Sequence, residues 1–127
     1  MSNKDEKTNS HENICLIAHI NESEFEAEVL QSKQPVLVAF WVSWSRPCKK
    51  FNPVIQDLAR ALIRKAKVVK VNADDCLTLS LYYDIQSIPT VICFIDGKPR
   101  FRIIGTASKE AILAKFLHAS ENKSNQV

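Results

Sequence analysis

The residues of this 127-residue chain best able to do chemistry are its four cysteines, Cys15, Cys48, Cys76 and Cys93. Cys48 lies in the stretch FWVSWSRPCKKFNPVI, Phe40 to Ile55, directly after Pro47. The helical periodicity that follows puts it in the first turn of a helix. Positive charge from Arg46, Lys49 and Lys50 and the positive end of the helix dipole surround it. Such surroundings turn a thiol into the thiolate that attacks disulfides. A reversible dithiol cycle needs a second cysteine at the C-x-x-C spacing. Ser45 stands there instead. A hydroxyl is too weak an acid for this attack without a dedicated base, and no histidine lies near it in sequence. There is no G-x-S-x-G and no ordered triad partner, so a hydrolase serine is not expected. The cycle through residues 45 and 48 is closed, and Cys48 is left as a lone thiol.

The remaining cysteines offer less. No two of the four form C-x-x-C, and no histidine pair has zinc spacing, so neither a metal nor a cofactor is implied. Cys76, before a short helix in DDCLTL, is a candidate for an exposed, modifiable thiol. Cys15 and Cys93 lie in apolar strands and read as small core residues. A net charge of +3 with no clustered basic face gives no case for nucleic acid. No apolar run reaches the roughly 18 residues of a membrane span. The polar start, MSNKDEKTNSHEN, has no apolar h-region, so a cytoplasmic location is expected.

The elements that must position Cys48 alternate. Residues 1–13 and 120–127 are polar and are expected as disordered tails around one domain at 14–119. ICLIAHI (14–20) reads as a strand. A helix follows, with Asn21 and Glu24 spaced as a capping box. PVLVAFWV (35–42) is a continuous apolar run, suited to a strand covered on both faces. Phe51, Ile55, Leu58, Ala59 and Leu62 then repeat at helical spacing, with Pro53 expected to kink that helix. A third strand (66–74), a short helix, two strands around Asp96-Gly97 and a last helix capped by Ser108 complete the order βαβαβαββα. This is an α/β chain with a mixed central sheet and helices on both faces.

These residues together resemble the thioredoxin family. FWVSWSRPCKKFNPVI is similar to its active-site segment, F-W-A-x-W-C-G-P-C-K-x-x-x-P, with Trp41, Trp44, Pro47, Cys48, Lys49 and Pro53 in register. SIPTVICFIDGKP resembles its second signature, and Gly105 and KVNADDC match two further motifs. The likeness runs from Ile14 to Leu117. It implies the thioredoxin fold, a cis-proline at Pro89, and an apolar groove of Trp44, Ile88, Pro89 and Gly105 that receives an extended peptide beside Pro89. Arg46 and Pro47 belong to the same mouth. The departures are Ser45 for the attacking cysteine, Arg46 for a glycine, and Ala39 for a buried aspartate whose partner would be Lys70. The family buries the second cysteine, which points to a shielded Cys48.

Two functions compete. One is a redox-impaired, chaperone-like module in thiol homeostasis that binds protein or peptide, as some thioredoxin-like holdase chaperones with S-x-x-C do. The alternative is a weak monothiol oxidoreductase acting through Cys48, with glutathione as its partner. A single replacement in a working dithiol site is a third reading, against which Ala39 and Arg46 both weigh.

Overall fold

The computed structural model describes residues 17–122. The expected tail at 1–13, Cys15 and the start of the first strand lie outside the described residues. The elements are β1 (Ile17–His19), a helix α1 (Glu22–Phe25) that continues as a π-helical turn (Glu26–Leu30), β2 (Val36–Trp41) and α2 (Arg46–Ala61). Then follow β3 (Lys67–Asn72), α3 (Leu77–Tyr82), β4 (Thr90–Ile95), β5 (Lys98–Ile104) and α4 (Lys109–Glu121). The last helix continues two residues past the boundary expected at 119.

The five strands form one sheet in the order β1-β3-β2-β4-β5. β1, β3 and β2 are parallel, and β4 and β5 run antiparallel to their neighbours. This is the α/β thioredoxin fold that the sequence implies. β2 is central, and its alternation divides the core. Leu37 and Ala39 face Phe51, Ile55 and Leu58 of α2 and Ile112 and Phe116 of α4. Val36, Val38 and Phe40 face Phe25 and Val29 on the other side. Each large apolar side chain so buried contributes about 1.5–3 kcal/mol.

Local chemistry sets the ends of the elements. Asn21 and Glu24 form the capping box, with Glu24 N donating to Asn21 Oδ1 at 3.0 Å and Asn21 N to Glu24 Oε1 at 2.9 Å. The π turn beyond it, closed by Gln31 N to Glu26 O at 2.9 Å, has no marker in the sequence. The β4–β5 turn has positive φ at both Asp96 (55°) and Gly97 (78°), as a tight two-residue hairpin requires. Only glycine fits at 97, because a Cβ there would lie 2.5 Å from the carbonyl oxygen of Leu30. On α4, Ile112 and Phe116 are buried and Leu113 is half-buried. Leu117, expected on the same face, is exposed, because it is turned about 100° past Phe116 around the helix.

Candidate functional site

Ser45 is the N-cap of α2. Its backbone is extended (φ −91°, ψ 123°), and its Oγ accepts a hydrogen bond from the amide of Cys48 at 3.3 Å. Its carbonyl accepts the first helical bond, from Lys49 N at 3.2 Å. Serine is among the residues that best satisfy the unpaired amides of a first turn. Pro47 sits inside that turn, where its missing N–H costs nothing. Pro53 removes the bond to the Lys49 carbonyl, yet α2 runs on to Ala61. Ser45 therefore has a structural task that its hydroxyl performs better than a thiol would.

The same turn points Cys48 inward. Cys48 is 2% exposed and belongs to the buried stripe of α2 with Phe51, Ile55 and Leu58. Arg46 and Pro47 stay at the surface. Trp44 is 71% exposed and is held by its indole N–H donating to Asp74 Oδ2 at 2.7 Å. The thiol is thus covered, while the ring beside it is offered to solvent.

Topology brings the other predicted residues to this end of the sheet. Phe40 pairs with Thr90, so the chain before Thr90 lies beside the segment that leads from β2 to α2. There the Ile88–Pro89 peptide bond is cis. The Pro89 carbonyl accepts from Gly105 N at 2.8 Å, and the Ser87 carbonyl accepts from Thr90 Oγ1 at 2.7 Å. Gly105 has φ 88°, so the backbone conformation itself calls for glycine there; a Cβ would meet nothing within 4 Å. Pro89 is buried and Ile88 half-buried. Among the described residues, no hydrogen bond engages the backbone N–H or C=O of Ile88. Arg46, Pro47, Phe51 and Val54 of α2 face Thr106 and Ala107 across a cleft of about 400 Å³.

Beneath the site lies a polar group that the sequence leaves without a partner. Lys70 pairs in register with Ala39 on one side and His19 on the other. It is 8% exposed, and its ammonium donates to Asn52 Oδ1 at 2.6 Å and lies 5.0 Å from the centre of the Trp41 ring. Burial lowers the Lys70 pKa, and the charge of Cys48 acts in the opposite direction. Burial, and then the Lys70 charge, lowers the pKa of His19, which packs edge-on against Trp41 at 5.8 Å. Asn52 is one helical turn after Cys48 and so lies on the same side of α2.

Cys76 is not the exposed thiol that its polar flanks suggest. It is 1% exposed, because the turn closed by Cys76 N to Asn72 O at 3.0 Å tucks it into the core layer of Phe25 and Val71. Burial raises its pKa, as do the neighbouring carboxylates of Glu22 and Asp75. Glu22 arrives there by accepting from the amides of Thr78 (2.7 Å) and Leu79 (3.2 Å), a contact between α1 and α3 not visible in the sequence. Cys93, in the middle of β4, is fully buried and its pKa is pushed up to about 12.

Comparison with known proteins agrees with this architecture. The sequence model of the family described as Thioredoxin matches residues 16–119. A thioredoxin of Griffithsia pacifica is 41% identical over 97 residues, covering 76% of this chain and 89% of that protein. A thioredoxin of Rickettsia felis is 39% identical over 95 residues, covering 75% of this chain and 90% of that protein. A chloroplastic M-type thioredoxin of Triticum aestivum is 40% identical over 92 residues, covering 72% of this chain but only 53% of that longer protein.

Proposed function

The chain belongs to the thioredoxin family, and on that scaffold we propose that it is a peptide-binding, chaperone-like module without the dithiol cycle. The observation that carries this reading is the contrast at the helix start, where Cys48 is 2% exposed beside a Trp44 that is 71% exposed. An extended segment would lay an apolar side chain against Trp44. Its backbone would pair with the unengaged N–H and C=O of Ile88, the logic of strand addition. Pro89 and Gly105 fix the loop that presents Ile88, and Arg46 and Pro47 form the opposite lip. Ser45 caps the helix and takes no part in electron transfer.

One observation favours the alternative. The Lys70 ammonium is held at 2.6 Å by Asn52, one helical turn after Cys48 on α2. A monothiol oxidoreductase would use Cys48 and Lys70 as a pair, with glutathione as the partner that resolves the mixed disulfide. Suppression of aggregation of a reduced, unfolded client separates the two readings. Suppression that survives Cys48→Ser and is lost in Trp44→Ala supports peptide binding. Loss in Cys48→Ser with retention in Trp44→Ala overturns it.

A further inference from the structure

A cleft of about 480 Å³ lies between β5 and the last turns of α4, lined by Arg100, Phe101, Lys115, His118 and Asn122 among others. It is remote from the groove: Arg100 is five residues before Gly105 along an extended strand, about 16 Å away.

The cleft owes its chemistry to a fault in the β4–β5 ladder. Phe94 pairs with Pro99, but Cys93 pairs with Phe101, so Arg100 is an extra residue. At such a bulge, two consecutive residues oppose one and strict alternation is broken. Without it, strict alternation would put Arg100 and Phe101 on opposite faces. Instead Arg100 and Phe101 line the same cleft, and the Arg100 charge reaches the thiol of Cys93 on that face.

The helix end accounts for part of the charge. Cations gather at a C-terminus, and Lys115 and His118 lie in the last turns of α4. That does not account for Arg100, which a different element turns into the same space. Among the described residues, no aspartate or glutamate lines the cleft. Among the described residues, Arg100 and Lys115 engage no carboxylate, and the ion pairs Arg60–Asp57 and Lys67–Glu28 lie elsewhere. The Lys115 ammonium is 6.0 Å from the Phe101 ring, and the amide nitrogen of Asn122 is 3.0 Å from His118 Nε2. A guanidinium fork, an ammonium and an amide on three sides suit the three oxygens and double charge of a phosphate monoester. The ring and the small Ala114 and Ala119 give an apolar floor beside those donors.

We propose that this cleft binds a phosphate monoester with a flat apolar body, its dianion held between Arg100 and Lys115 and its body laid on Phe101. The test is a titration of the full chain with phenyl phosphate, followed by backbone amide chemical shifts, beside titrations with inorganic phosphate and benzoate. Shifts centred on residues 100–102 and 114–122 are expected. Phenyl phosphate should bind at least fivefold more tightly than either control. Arg100→Gln and Lys115→Gln should each weaken it at least fivefold with an unchanged thermal midpoint, and Arg100→Lys should recover part of the loss. Equal binding of benzoate or inorganic phosphate overturns the assignment. So do shifts spread evenly over basic side chains elsewhere, or folded Gln variants that bind as wild type does. None of these outcomes touches the groove beside Pro89.

Discussion

Replacing Ser45 with alanine isolates what its hydroxyl does. The Oγ satisfies the Cys48 amide at 3.3 Å, in a position only 6% exposed. Water cannot readily take its place, so the variant leaves a shielded donor unpaired. Loss of a serine cap costs about 0.5–2 kcal/mol. The bond is long for an N–H···O contact, which argues for the middle of that range, about 1 kcal/mol. For a domain of this size, that is a fall in Tm of about 4 °C. Urea unfolding followed by far-UV circular dichroism reads it directly. Ser45→Gly should cost less than Ser45→Ala, since glycine is tolerated at an N-cap. Ser45→Cys keeps only a weak acceptor and should also lose stability when reduced, while restoring the C-x-x-C spacing with Cys48 and gaining disulfide reductase turnover. If Ser45→Ala is as stable as wild type to within about 0.3 kcal/mol, the capping role is wrong.

Two further perturbations follow from the core and the hairpin. The raised pKa of Cys93, about 12 against an ordinary 9.0, means that above pH 9 the unfolded chain gives up this proton and the folded chain keeps it. Its contribution to stability is complete below pH 9 and is lost as pH rises. Wild type should therefore lose about 1 kcal/mol more than Cys93→Ala between pH 9 and pH 10, measured by urea unfolding at each pH; equal slopes would contradict the burial argument. Gly97→Ala must accommodate both a φ of 78° and a Cβ 2.5 Å from the Leu30 carbonyl oxygen. It should cost about 2 kcal/mol or more in chemical denaturation, and a loss below about 0.5 kcal/mol would show that the loop yields freely.

The fold was largely legible because its signals are local. The apolar run of β2, the i, i+4, i+7 spacing of Phe51, Ile55 and Leu58, the Asn21–Glu24 box and Asp96-Gly97 each act within a few residues. What escaped depends on contacts between elements. Glu22 capping α3, Asn52 receiving Lys70 and Trp44 bonding Asp74 join residues separated by 56, 18 and 30 positions. Cys76 shows the same limit, since polar neighbours in sequence suggest exposure, and a turn that packs on Phe25 decides otherwise. The bulge at Arg100 has no marker in the sequence, because the slip is fixed by how β4 and β5 pair after the tight turn. The candidate site was legible as a set of residues. The inward turn of Cys48 and the capping role of Ser45 emerge only once the first turn of α2 is built.

On the proposed function, the capped helix start with its one shielded sulfur holds peptides and does not cycle electrons. The decisive assay is multiple-turnover reduction of insulin, with dithiothreitol as the reductant and the untagged natural chain as the catalyst. Wild type and Cys48→Ser should show no rate above that of dithiothreitol alone, with turnover appearing in Ser45→Cys. Sustained turnover by wild type that disappears in Cys48→Ser would contradict that function.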